Sequence, residues 1–248
     1  NENKSIMNIP IVIHVVHRST HSNIGSGTNI SNTQIEDGLR ILNEDYSKTN
    51  PEFPNPPRNT FFNYAGNAQL QFCLVTEDEN GDPTTGITRT STTMTNFDVD
   101  GTDEMKKSST GGKNGWDPTK YLNIWICDIV STGGGQILGY SYLPGTVQWQ
   151  PWKDGVVVDY RYFGTIGVSA AGNDGRTPTH EVGHYLGLLH TFCPEDQNGN
   201  PPTCDDCDDN NWGGNIDDTP AAKDVYYGTV TSSTNNNTCN DLNYSNVF

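Results

Sequence analysis

The most continuous apolar stretch, residues 9–18 (Ile-Pro-Ile-Val-Ile-His-Val-Val-His-Arg), is β-branched almost throughout and of strand length. Unbroken rather than alternating apolarity predicts a strand covered on both faces, near the centre of a sheet. His14 and His17 lie an odd number of residues apart, so they point to opposite faces and read as structural rather than as a pair. After a loop rich in Gly, Ser and Asn, the positions Ile35, Leu39, Leu42 and Tyr46 recur at helical spacing. They predict a helix backing the sheet, capped by Ser31 or Thr33, with its acids on a solvated face. Four prolines within residues 50–58 then impose an extended loop.

Strand patterning returns at residues 69–76, 121–130, 136–143 and 156–163, which brings the strands to five. Residues 78–86 read as turns. Asp98, Asp100 and Asp103 around Gly101 read as a polar turn, because the spacing of a calcium loop is incomplete and its closing glutamate is missing. Residues 164–179 form a loop into a second helix, whose early positions suit Pro178 and Thr179. The class is α/β. At 248 residues the chain accommodates one domain with a real core, or two lobes sharing a cleft, and no linker marks off a separate domain.

Charge narrows the partners. Fourteen Lys and Arg face 30 Asp and Glu, a formal net charge of −16, which disfavours nucleic acid and anionic membrane surfaces. No apolar run reaches the roughly 18 residues of a membrane span, and no signal-peptide pattern opens the chain. Low Lys, abundant Asn, Thr and Gly, and six cysteines point to a secreted, extracellular protein in its mature form.

The chemistry concentrates in residues 180–190, His-Glu-Val-Gly-His-Tyr-Leu-Gly-Leu-Leu-His, which hold three of the six histidines. His180 and His184, four residues apart, share one face of a helix and can reach one ion. His190 could not join them if the helix continued, since ten residues of helix would carry it roughly 15 Å along the axis. Gly187 stands where the chain must turn back, glycine being the residue that takes a left-handed conformation without a Cβ clash. Three imidazoles leave a tetrahedral zinc ion one open position for water, the catalytic arrangement, and Glu181 is placed as general base. The implied chemistry is peptide-bond hydrolysis.

Beyond the third histidine, residues 177–222 carry no Lys or Arg while Asp and Glu crowd an Asn- and Gly-rich loop, a composition suited to calcium or simply to solvent. Cys193, Cys204, Cys207 and Cys239 favour disulfides pinning this loop, with three connectivities open. Cys73 and Cys127 fall in predicted strands as buried thiols or a cross-strand bridge.

The pattern HExxHxxGxxH, met by His180, Glu181, His184, Gly187 and His190, resembles the signature of the metzincin metalloproteases. Within that clan the chain is most similar to the pappalysins and their ulilysin-like prokaryotic relatives. The shared features are His-Thr-Phe at 190–192, Asp-Asp-Thr-Pro at 217–220, Leu-Asn-Ile-Trp-Ile at 122–126 and Ile-Leu-Gly-Tyr-Ser-Tyr-Leu-Pro-Gly at 137–145. The resemblance implies a two-lobed domain with a twisted, mixed five-stranded sheet, a backing helix and an active-site helix, followed by an irregular C-terminal subdomain. The boundary falls between residues 1–187 and 188–248. It implies structural calcium in the acidic loop, with Glu195, Asp208, Asp217, Asp218 and Thr219 as candidate ligands, and a pairing of Cys239 back into that loop. It also implies a rim strand, with Ile137, Leu138, Gly139 and Tyr140, that pairs with extended protein or peptide substrates. A preference for Arg or Lys after the scissile bond and an inhibitory pro-segment in the precursor follow from the same likeness.

One departure stands out. Metzincins place a methionine turn beneath the zinc, yet Met7, Met94 and Met105 all precede the site, and Tyr244 has the wrong spacing for the tyrosine that follows that turn. The expectation is a C-terminally shortened, incomplete form whose activity is in doubt. The competing function is a calcium-stabilised extracellular binding module with a non-catalytic metal site, against which an intact Glu181 argues. A gluzincin arrangement fails because no glutamate follows Glu195.

Overall fold

A computed structural model describes residues 5–53 and 66–190. The chain divides into two compact units, one of Asn1–Asn50 with Asn67–Leu188 and one of Pro51–Gly66 with Leu189–Phe248. Nearly all described residues belong to the first. In chain order they form β1 (Met7–Arg18), α1 (Asn32–Ser47), β2 (Leu70–Leu74), β3 (Ile87–Thr92), β4 (Phe97–Asp98), β5 (Leu122–Cys127), β6 (Ile129–Val130), β7 (Gly139–Ser141), β8 (Val156–Asp159) and α2 (Thr177–Tyr185).

The main sheet runs β2-β1-β5-β8-β7, with β3 also paired to β1. Every pairing is parallel except that of β7 with β8. Ile11 partners both Leu74 of β2 and Leu122 of β5, while Ile13 partners both Ile87 of β3 and Ile124 of β5. Thus β2 and β3 lie end to end on one side of β1, and six strands fill five positions. The mixed sheet is the one expected, but β3 is an addition. Its side chains, Ile-Thr-Arg-Thr-Ser-Thr, are mostly β-branched, a signal that the neighbouring turns obscured.

Because β1 is flanked on both sides and covered on both faces, Ile11, Val12, Ile13, Val15 and Val16 are all buried. The period of two sorts the sheet into two cores. On one face Ile11, Ile13, Val15, Ile124, Ile126, Val156 and Val158 pack against Ile35, Leu39 and Leu42 of α1 and Val182 of α2. On the other, Val16, Trp125, Cys127 and Val157 pack against Phe97 and Met105. His14 lies on this second face, its ring bonded to Thr88 Oγ1 at 2.8 Å and Asn123 Oδ1 at 2.9 Å, the structural role read from the sequence.

Ser31 is the residue that caps α1, its Oγ accepting from the Gln34 amide at 3.1 Å. Two of the four acids of α1 depart from the solvated face expected, while Glu36 is exposed. Asp37 accepts from the amide and hydroxyl of Thr165, and Asp45 accepts from the Thr179 hydroxyl at 2.8 Å. The strand expected over 156–163 stops at Asp159, whose buried carboxylate accepts the Arg161 amide at 2.9 Å and so bends the chain. Gln34, wholly buried, then braces the bend by donating to the carbonyls of Tyr160 and Phe163 and accepting from the Val168 amide. Cys73 and Cys127 are free thiols. They lie on strands separated by β1, which excludes the bridge. Burial holds the Cys127 thiol well above its ordinary pKa.

Candidate metal centre

α2 opens with Pro178 in its first turn and carries no side-chain cap of its own. Its start is held instead from α1: besides the Thr179 contact, Asp45 pairs with Arg176 at 3.2 Å, and the Tyr46 hydroxyl donates to the Thr179 carbonyl at 3.2 Å. A carboxylate at a helix N-terminus also complements the backbone dipole. Nothing in the local sequence around residue 180 signals these braces, since they come from more than 130 positions away.

The helix ends as its sequence predicts. Tyr185 is the last helical residue and Gly187 has φ 98°. The Leu188 amide reaches back to the Gly183 carbonyl at 2.9 Å, and the Gly187 amide to that of His184 at 2.9 Å. This pair of bonds is the Schellman motif, which requires a left-handed residue at the position of Gly187. The turn also brings the Leu188 carbonyl to 2.8 Å from His184 Nδ1, so that nitrogen must carry the proton and donate. The lone pair then sits on Nε2, the nitrogen that faces His180, the usual way a protein orients a ligand histidine.

His180 Nε2 and His184 Nε2 are 3.0 Å apart. With His190 they form a cluster whose potential ligand atoms all lie within 4.8 Å of one another. Ligands on a tetrahedral zinc ion with bonds of about 2.1 Å stand about 3.4 Å apart, a spacing that falls within the 4.8 Å bounding the three histidines. No other group of three or more metal-ligating side chains appears among the described residues.

Glu181 is 7% exposed, and burial lifts its pKa to about 7. Its surroundings are built by β7. A Cβ on Gly139 would lie 3.0 Å from Glu181 Cγ, so glycine is needed there to let helix and strand approach. Ser141 Oγ donates to the Glu181 carbonyl at 2.7 Å, tying strand to helix. Of the expected substrate residues, Gly139 and Tyr140 lie in β7, and Leu138 just precedes it with its carbonyl accepting the Asp159 amide at 2.8 Å. Ile137 packs with the second core, as does the Tyr140 ring. Of the four, Leu138 alone has an exposed side chain. β7 closes one end of the strand order, paired with β8.

Glu195, Asp208, Asp217, Asp218 and Thr219, with Cys193, Cys204, Cys207 and Cys239, lie outside the described residues. No helix among the described residues is long and apolar enough to cross a membrane.

Comparison with known proteins places this geometry. Mature mirolysin of Tannerella forsythia, solved in complex with a cleaved peptide, superposes with a TM-score of 0.74 at 40% identity, covering 89% of this chain and 73% of that one. A promirolysin mutant of the same organism matches at 40% identity with a TM-score of 0.69, over 81% of this chain and 60% of that one. An extracellular metalloprotease of Pyricularia oryzae is 30% identical over 222 residues, 88% of this chain and 58% of the relative. The chain spans about half the length of the curated relatives it matches. Residues 106–248 match the peptidase family described as pregnancy-associated plasma protein-A. The chain belongs to that family, the pappalysin branch of the metzincins.

Proposed function

We infer that this chain is the catalytic part of a secreted zinc endopeptidase, in which His180, His184 and His190 hold the metal and Glu181 is the general base. The observation that carries this reading is the convergence of three imidazoles within 4.8 Å beside a buried glutamate. Zinc held there would supply a Lewis acid for the scissile carbonyl and lower the pKa of water. The chain's own residues do the rest. The Leu188 carbonyl keeps His184 in the tautomer that presents Nε2, and Ser141 and Gly139 set Glu181 against the rim strand. The backbone of β7 supplies an edge on which an extended peptide adds as a further strand.

A preference for Arg or Lys after the scissile bond accords with the net charge of −16. Structural calcium in the acidic loop and an inhibitory pro-segment belong to the same proposal. The relatives named extracellular metalloproteases support secretion, and the promirolysin structure supports a precursor.

The test is Glu181→Ala in the zinc-loaded enzyme, assayed on a peptide library with and without chelator. Cleavage is expected to fall by a factor of at least about 100, with zinc still bound stoichiometrically. Unchanged cleavage by the variant would remove Glu181 as the base. Full cleavage by the wild type after complete zinc removal would remove the metal from the reaction.

A further inference from the structure

β7 is held on both faces, and on the face away from α2 its ties converge on one buried carboxylate. Alternation along the strand turns Gly139 and Ser141 toward α2 and the Tyr140 ring toward the second core. There the Tyr140 hydroxyl donates to Asp103 Oδ1 at 2.7 Å, and the Tyr142 hydroxyl, just beyond the strand, donates to Oδ2 at 2.8 Å. Lys153 Nζ lies 3.2 Å from the same Oδ2.

Asp103 is 2% exposed and has φ 46°, a left-handed conformation that a residue with a Cβ adopts at a cost. Beneath the two tyrosines sits Lys106, 1% exposed, with Nζ 5.3 Å from each ring centroid. It donates to the carbonyls of Lys153 and Gly155, in the segment that returns from β7 to β8. Burial would raise the Asp103 carboxyl, but the hydroxyls of Tyr140 and Tyr142 and the Lys106 charge hold it below its ordinary pKa.

Such a cluster is a poor device for stability alone, since replacing buried ion pairs by well-packed apolar groups is often neutral or stabilising. What it does achieve is geometric. Two hydroxyls anchored to one carboxylate set where the two tyrosines, and hence the β7 backbone, stand relative to α2.

We propose that Asp103 is a positioning residue for substrate, holding the rim strand where an extended peptide can pair with it and meet Glu181. The proposal rests on the reading of β7 as the substrate-binding edge. Asp103 touches no reacting atom, so its loss should weaken binding along the strand and leave the chemical step intact.

The experiment compares wild type, Asp103→Asn and Tyr142→Phe as zinc-loaded enzymes, on an extended oligopeptide and on a blocked dipeptide with the same scissile bond. For Asp103→Asn, kcat/KM on the oligopeptide is expected to fall about tenfold, mostly through KM, which corresponds to about 1.4 kcal/mol. Activity on the dipeptide and zinc content stay at the wild-type level. Tyr142→Phe, which removes one hydrogen bond, shows the same pattern more weakly and serves alone if Asp103→Asn does not fold. Equal losses on both substrates, or no loss on the oligopeptide, overturn the proposal. A scan of the oligopeptide with N-methylated peptide bonds on wild type separates the two readings. Insensitivity at every position overturns β7 as the binding edge, and the Asp103 proposal with it. Sensitivity together with an unaltered Asp103→Asn variant overturns the Asp103 proposal alone.

Discussion

Gly139→Ala perturbs the junction of rim strand and metal helix with a single methyl group. The added Cβ would stand 2.8 Å from the Val157 carbonyl oxygen, 2.9 Å from Thr177 Cγ2 and 3.0 Å from Glu181 Cγ. Ordinary contact begins near 3.4 Å, so all three neighbours are about half an ångström too close. The oxygen is backbone in β8 and cannot rotate aside, which leaves β7 to lift off the sheet or Glu181 to move. Overpacking of this kind costs about 1–3 kcal/mol in stability. A shift of up to 1 Å in a catalytic group can cost about 100-fold in rate, so a drop of at least about tenfold in kcat/KM is expected. The assay pairs thermal unfolding with peptide cleavage and zinc analysis, using Gly66→Ala as control. Among the described residues nothing lies within 4 Å of a Cβ on Gly66, and the control should change stability by less than about 0.5 kcal/mol. A Gly139→Ala variant that matches the control in both melting temperature and kcat/KM would refute a packing constraint at this junction.

Gln34→Leu leaves two carbonyls and one amide without their buried partner and should destabilise by at least about 3 kcal/mol in denaturant unfolding; a loss below about 1 kcal/mol would contradict the bracing role. Burial lowers the pKa of His14 from 6.5 to about 4, so as pH falls the unfolded chain takes up this proton before the folded one. The stability tied to neutral His14 is therefore complete above pH 6.5 and lost on the way down to about pH 4, a change of about 3 kcal/mol. Melting curves of His14→Gln should show a correspondingly shallower slope across that window, and parallel curves would contradict it.

The parts of this fold that were legible in the sequence are those whose causes are local. Ser31 caps α1 from three residues away, and Gly187 reverses the chain within the very motif that needs the turn. The unbroken apolarity of β1 reflects its place between β5 on one side and β2 with β3 on the other. What escaped has its cause at a distance. β8 ends at Asp159, although residues 160–163 look strand-like, because Gln34 holds the bend that follows from more than 125 positions away. Asp103 reads as one of three turn acids, of which Asp98 stays local, its carboxylate accepting the Asp100 amide. Asp100 instead binds residues 131–133, and Asp103 receives Tyr140 and Tyr142 from more than 35 positions away. The same holds for Asp45 and Tyr46 at the start of α2. Periodicity tells which face a side chain takes, and not which residue waits there.

Zinc-dependent hydrolysis by this chain requires that the backbone reversal at Gly187 gather His180, His184 and His190 around one ion. An anomalous difference map recorded at the zinc edge from crystals of the protein measures this directly. One strong peak is expected, about 2.1 Å from a ring nitrogen of each of the three histidines. The absence of a peak there, or a peak bound by His180 and His184 with the His190 ring turned away, would contradict the assignment.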